Sequence, residues 1–79
     1  MRYRLLYFAS LADLAGRSSE DVQSTAADPA ALYAELAECH GFTFAPTRLR
    51  VAVNGAFTDW SHRLADGDEV VFIPPVSGG

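Results

Sequence analysis

The chain has 79 residues, a formal net charge of −4 and a hydrophobic fraction of 49%. These values are typical of one small globular domain and not of a disordered or multidomain protein. The lack of a basic cluster argues against nucleic acid as a partner, and no apolar run approaches the ~20 residues of a membrane span. The single cysteine, Cys39, excludes an internal disulfide framework and favours a cytoplasmic protein.

The first third of the chain predicts a strand, a short helix and a second, weaker strand. Residues 2–8 alternate in a strand pattern. Three large side chains share one face of this strand: Tyr3, Leu5 and Tyr7. The short helix is expected to be capped by Ser10 and to end at Gly16. Residues 19–25 are polar and weakly patterned, which indicates a poor edge strand.

A longer helix has clearer end signals. Asp28 is a suitable cap, Pro29 occupies the first helical position, and Gly41 ends the helix. Three residues spaced at i, i+4 and i+7 form the face expected to pack on a sheet: Leu32, Leu36 and Cys39. On this face Cys39 is expected to be a small buried side chain and not a reactive thiol.

The C-terminal half predicts three more strands. Residues 49–53 alternate, and Asn54-Gly55 is the strongest short signal for a type I′ hairpin. Residues 56–58 therefore form the return strand. The turn Asp66-Gly67-Asp68 leads into the last strand, residues 69–73. This order of elements predicts an α+β fold in which a mixed five-stranded sheet packs on one main helix, with a short extra helix after the first strand.

A flexible tail, residues 74–79, is predicted to follow the domain of residues 1–73. The tail begins with Pro-Pro, which ends ladder pairing because proline has no N–H to donate. Gly78 and Gly79 lack a Cβ, so the end of the backbone can enter a narrow site in another protein. A terminal Gly-Gly can also be a ragged end. Directly after a strand and two prolines, it indicates that the carboxylate of Gly79 is the reactive group.

The outward face of the terminal strands is a candidate partner site. If the first and last strands pair, Leu6 and Phe8 lie beside Val71 and Ile73 on the face opposite the helix. Contiguous exposed hydrophobic side chains usually mark a partner site. For any single residue, cover by a loop is about as plausible.

The remaining polar residues give little support for independent catalysis. His40 and His62 are far apart and lack metal-ligand spacing, so no metal site is predicted. The acidic stretch from Asp59 to Glu69 is interpreted as a solvated turn, with docking on a basic partner as the second interpretation. No Ser-His-Asp arrangement, phosphate-binding glycine loop or H-E-x-x-H pattern is present in the sequence.

Three stretches carry a resemblance that covers nearly the whole chain. They are Tyr7-Phe8-Ala9 with Leu11, Leu14 and Gly16, then Ala52-Val53-Asn54, and finally the run from Leu64 through Asp66-Gly67-Asp68-Glu69-Val70 and Phe72 to Pro74-Pro75-Val76-Ser77-Gly78-Gly79. These stretches resemble the small subunits of molybdopterin synthase, a family of sulfur carriers. The resemblance implies a ubiquitin-like β-grasp fold.

The resemblance also implies a mechanism that centres on Gly79. An E1-like activating enzyme would use ATP to adenylate its carboxylate, which would then become a thiocarboxylate. No cofactor is expected on the chain itself. The tail, including Gly78, would enter the large synthase subunit, in a heterotetramer of two small and two large subunits. There sulfur would pass to precursor Z to make molybdopterin, with the active site mainly in the large subunit.

The family resemblance assigns residues to the contact with that subunit. The positions that match family contacts are Phe8, Val71, Ile73, Pro75 and Val76. Leu6, Pro74 and Ser77 complete the predicted partner-binding set.

Other roles stay open. Carriers of thiamin biosynthesis also end in Gly-Gly but usually lack the Pro-Pro, whereas a carrier of cysteine biosynthesis shares both fold and tail. A ubiquitin-like modifier would instead be joined through its terminus to a lysine of a target protein. An unrelated binding module with an incidental Gly-Gly is the last alternative.

Overall fold

A computed structural model describes residues 1–75. In chain order its elements are β1 (Arg2–Tyr7), α1 (Ala9–Ala15), β2 (Ser19–Gln23), α2 (Pro29–His40), a 3-10 helix (Pro46–Arg48), β3 (Arg50–Val53), β4 (Ala56–Thr58) and β5 (Glu69–Ile73). The predicted order of strands and helices is confirmed, and the 3-10 helix is an addition to it. The predictions for Val76, Ser77, Gly78 and Gly79 lie outside the described residues.

The five strands form one mixed sheet in the order β2-β1-β5-β3-β4. The first and last strands pair in parallel at its centre, and the other three pairings are antiparallel. The predicted α+β architecture is therefore confirmed. Because β5 is the central strand and ends at Ile73, the chain leaves the sheet from its middle toward the C-terminus.

One face of the sheet and both helices enclose the hydrophobic core. The buried side chains of the sheet include Tyr3, Leu5, Tyr7, Val51, Val53, Val70 and Phe72, and those of the helices include Leu11, Leu32, Tyr33 and Leu36. The tyrosine hydroxyls are all hydrogen-bonded, as buried polar groups must be. Tyr3 donates to the Ala26 carbonyl at 2.6 Å, and Tyr33 donates to the Phe44 carbonyl at 2.8 Å.

Helix α2 begins and ends as predicted. The Asp28 carboxylate accepts from the Ala31 N–H at 2.8 Å, and Gly41 ends the helix with φ at 75°. The predicted burial of Cys39 is wrong, since its side chain is exposed. Successive helical residues are rotated by about 100° about the helix axis. The buried residues of α2 form an arc whose centre is closer to Tyr33 than the centre of the predicted face was. Cys39 falls outside the edge of that arc, whereas Tyr33 is buried within it.

Helix α1 begins earlier than predicted. Phe8 is its N-cap residue, with no side-chain cap, and Ser10 lies inside the helix. The cap prediction fails because the chain turns at Ala9, whose φ is +49°, immediately after β1. Gly16 ends the helix with φ at 73°, as expected.

The hairpin between β3 and β4 has the predicted type I′ signature, since Asn54 and Gly55 have φ of 51° and 86°. The Asn54 amide also joins two turns. It donates to Asp68 Oδ1 at 2.9 Å, and its oxygen accepts from the Glu69 N–H at 2.9 Å. Asp68 accepts a second bond from the Ala65 N–H at 2.8 Å. This part of the acidic stretch therefore holds the loop before β5 in place.

Candidate functional site

Among residues 1–75, both helices pack on one face of the sheet, and a row of hydrophobic side chains crosses the other face. Leu6 is opposite Val71, Val71 is opposite Ala52, and Ala52 is opposite Phe57. Residues directly opposite each other on adjacent strands share a face. With strands ~4.8 Å apart, the row spans about 14 Å. Ala52 and Val71 are buried in its middle but are not part of the core cluster.

A second row lies closer to the start of the tail. Ile73 is opposite Arg50, and Phe8 continues β1 in extended conformation directly after the last paired residue, Tyr7. Phe8 therefore reaches the level of Ile73. The two rows together form what we call the apolar patch, made of Leu6, Phe8, Ala52, Phe57, Val71 and Ile73.

The predicted outward residues contribute unequally to the exposed surface of the patch. Phe8 is 51% exposed, whereas Leu6 and Ile73 are exposed to a smaller extent. Val71 is on the predicted face but only 8% exposed, because its neighbours in the row cover it. Phe57, at 64%, is the most exposed member. It was missed from the sequence, where the only signal was its position in the return strand of the hairpin.

The opposite end of this face is polar. Arg4 lies 3.5 Å from Asp21 across the β1–β2 pair, and both side chains are exposed. Arg4 is also opposite Glu69 on β5. Hydrophobic surface is therefore confined to the half of the face from which the tail emerges.

Two grooves border the patch on the β3 side. One, of about 470 Å³, is lined by Thr47, Arg48, Leu49, Arg50, Ile73, Pro74 and Pro75. The other, of about 290 Å³, is lined by Leu49, Arg50, Val51, Phe57, Thr58 and Trp60. Arg50 belongs to both grooves, and its Cζ lies 5.3 Å from the centroid of the Phe57 ring.

Of the predicted tail residues, two are described. Pro74 is buried and Pro75 is exposed. The structure brings both prolines together with Ile73 at one groove. Val76, Ser77, Gly78 and Gly79, including the predicted reactive carboxylate, lie outside the described residues. The described residues thus form the platform from which the tail begins.

A hydrogen-bonded cluster lies on the face of β1 that packs against the core. The Tyr7 hydroxyl donates to Glu20 Oε1 at 2.7 Å, and His40 Nε2 lies 2.8 Å from the same oxygen. Arg17 approaches Glu20 Oε2 at 3.6 Å. Burial, and then the bond to Glu20, raise the pKa of Tyr7 far above its usual value.

Opposing effects act on the carboxylate of this cluster. Burial alone raises the pKa of Glu20, but the hydrogen bonds from Tyr7 and His40 and the charges of His40 and Arg17 outweigh it, so the pKa lies below its usual value. His40 therefore connects α2 to the edge strand β2. Since each group is satisfied by another, the cluster is structural.

No other chemical site is evident in the described part of the chain. Within residues 1–75, no three His, Cys, Asp or Glu side chains lie together as metal ligands. None of the helices within residues 1–75 has the length and apolar character needed to cross a membrane.

Comparisons with known proteins agree with this arrangement. The molybdopterin synthase sulfur carrier subunit of Escherichia coli (strain K12) is 33% identical over 79 residues, which cover 96% of this chain and 98% of that protein. SAMP1 from Haloferax volcanii superimposes with a TM-score of 0.79 at 26% identity over all of both chains. A protein–protein complex of subunits 1 and 2 of the molybdopterin-converting factor from Helicobacter pylori 26695 contains a chain with a TM-score of 0.69, also at 26% identity over all of both chains.

These likenesses extend over the whole domain and confirm the predicted ubiquitin-like β-grasp fold. Residues 5–79 match the ThiS family, so the match includes both the sheet and the Gly-Gly end. The chain therefore belongs to the ThiS family.

Proposed function

We propose that this protein is the sulfur carrier subunit of a molybdopterin synthase. The observation that carries the proposal is the 33% identity to the Escherichia coli sulfur carrier subunit over almost all of both chains. The Helicobacter pylori structure supports a partner subunit, because it is a complex of two subunits of a molybdopterin-converting factor. On this proposal two small and two large subunits assemble as a heterotetramer in the cytoplasm.

The reactive group in this proposal is the terminal carboxylate of Gly79. A carboxylate is a poor acylating agent, so an E1-like enzyme first attaches AMP to it from ATP and releases pyrophosphate. A sulfur donor then displaces AMP and leaves a thiocarboxylate. Each thiocarboxylate gives one sulfur to precursor Z in the large subunit, and water returns the terminus to a carboxylate. Two such transfers supply the two sulfurs of the molybdopterin dithiolene. ATP belongs to the activating enzyme, and this chain carries only the activated terminus.

The described residues account for how such a terminus would be presented. The central strand β5 runs directly into Pro74, which is buried, and then into Pro75. Proline restricts φ at the base of the tail, so fewer conformations are lost when the tail enters a partner. The apolar patch lies beside this point, so the surface that would dock on the large subunit is next to the tail that would enter it.

Reconstituted sulfur transfer to precursor Z tests the proposal. Deletion of Gly79, or addition of one alanine after it, should abolish transfer because the carboxylate no longer reaches its position. Both variants should unfold thermally like the wild type, since the last residue of the described core is Phe72. Sulfur transfer by either variant at the wild-type rate would contradict a terminal mechanism.

A protein modifier is the second candidate. Its support is the TM-score of 0.79 with SAMP1 of Haloferax volcanii, which is named a small archaeal modifier protein. A modifier would be found joined through Gly79 to lysines of other proteins. Mass spectrometry of tryptic peptides from cells separates the two roles, because a carrier should leave no such isopeptide branch.

A further inference from the structure

We propose that Arg48 and Arg50 extend the apolar patch with a positive site that binds an acidic segment of the large subunit. This inference rests on the proposed function, since it names a further part of the contact with that subunit. The predicted contact set from the sequence contains no charged residue. The structure places two arginines directly beside it.

The position of the two arginines is the first observation. Arg50 is opposite Ile73, the last residue of β5, and Arg48 ends the 3-10 helix that precedes β3. Both side chains are exposed. They line the groove of about 470 Å³ together with Pro74 and Pro75. Both arginines therefore lie beside the point where the described chain ends and the tail continues.

The aromatic ring of Phe57 is the second observation. The Arg50 guanidinium carbon lies 5.3 Å from the ring centroid, within the range of a cation–π contact. Stacking on an exposed ring holds the guanidinium on the apolar patch. Its N–H groups can then bind a carboxylate in a bidentate manner. Phe57 thus supplies both apolar contact area and a support for the charge.

The charge distribution is the third observation. The chain carries a net charge of −4, yet the ion pairs among residues 1–75 use Arg4 and Arg17 and neither Arg48 nor Arg50. On the face that bears the patch, Arg4 is next to both Asp21 and Glu69, at the end remote from the tail. The positive site is therefore local, and it is complementary to a carboxylate of a partner.

The surroundings of the site favour a protein segment. Two arginines in an acidic chain are too few to follow a phosphate backbone, which requires a basic stripe. Their neighbours are apolar, including Phe57, Ile73 and Pro75. A segment that combines an Asp or Glu with a hydrophobic residue matches this surface, and a charged residue at the rim of an interface mainly adds specificity and speed of association.

Calorimetric titration of the purified large subunit with charge-reversal variants tests the inference. Arg50→Glu should weaken binding about tenfold at ~50 mM NaCl, and much less at ~500 mM, where screening is strong. Arg63→Glu is the matched control. It makes the same change of charge in the β4–β5 loop, next to the core residue Leu64, and should change the affinity by less than about twofold.

Equal effects of the Arg50 and Arg63 variants would overturn the inference. Loss of self-association in Arg50→Glu, seen by sedimentation, with unchanged binding of the large subunit would assign the site to a second copy and would also overturn it. Arg50→Gln, which removes the charge alone, serves if thermal unfolding shows that Arg50→Glu is destabilised. Phe8→Ala in the same titration distinguishes failure of this inference from failure of the proposed docking on the apolar patch. If it weakens binding while Arg50→Glu does not, only this inference fails, and if neither does, the proposed docking fails as well.

Discussion

Replacing Phe8 with alanine removes an exposed aromatic ring beside the base of the tail. Phe8 is 51% exposed, and a phenylalanine that is fully covered buries about 200 Å². A partner on the apolar patch would therefore cover about 100 Å² of it, a contribution of about 2.5 kcal/mol at ~25 cal/mol per Å². The alanine Cβ retains part of this contribution, so the expected loss of binding free energy is about 2 kcal/mol, which raises the dissociation constant about 30-fold.

Isothermal titration calorimetry with the large subunit measures this loss directly. Leu14→Ala is the matched control, because Leu14 is 47% exposed but lies on α1, whose Leu11 packs into the core on the other side of the sheet. It should leave the affinity within about twofold of the wild type. Equal affinities for the Phe8 and Leu14 variants would refute the assignment of the patch to partner binding.

Three predictions concern the domain itself. Glu20→Gln should cost ~1.5 kcal/mol at pH ~7, since it removes a charged acceptor. Because the pKa of Glu20 is lower in the folded state than in the unfolded state, its contribution to stability is complete above the unfolded-state pKa and is lost as the pH falls through the folded-state pKa. The Tm of the variant and the Tm of the wild type should therefore converge in acid. Glu38→Gln, at an exposed position of α2, should leave the Tm at pH ~7 near that of the wild type. Ala9→Gly should not destabilise in urea, since glycine relieves the strain at φ +49°, whereas Ala34→Gly within α2 should cost ~1 kcal/mol. Asn54→Ala should cost ~2 kcal/mol through two lost hydrogen bonds and an unfavourable positive φ, and a Tm equal to the wild type would contradict that account.

The ends of most elements could be predicted because their signals are local. Asp28 caps α2 and Gly41 ends it with their own side-chain and backbone preferences. The Asn54-Gly55 pair likewise specifies its hairpin within two residues. Such signals do not depend on what the element packs against.

The burial of Cys39 was predicted wrongly because it depends on tertiary packing. Cys39 is exposed and Tyr33 is buried because the rotation of α2 about its axis depends on how the large aromatic side chains fit the core. Tyr33 packs with its ring 5.2 Å from that of Phe72 and 6.0 Å from that of Phe42. These contacts are distant in sequence, so helical periodicity alone could not reveal them.

The site was predictable in part. Alternation placed Leu6 and Val71 on a shared outward face once the terminal strands were paired, and the structure has that pairing. Phe57 and the two neighbouring arginines were missed, since their approach depends on the register of β3 with both β4 and β5. The reactive carboxylate of Gly79 was predicted from the Gly-Gly end after a strand and two prolines, and its chemistry from the family resemblance.

Intact-mass spectrometry can show whether Gly79 carries a transferable sulfur. The full chain would be incubated with the activating enzyme of the same organism, ATP and a sulfur donor. We expect a mass increase equal to the exchange of one oxygen for one sulfur, located on the C-terminal peptide and dependent on ATP. An unchanged mass under conditions that convert a known sulfur carrier would show that Gly79 does not carry sulfur.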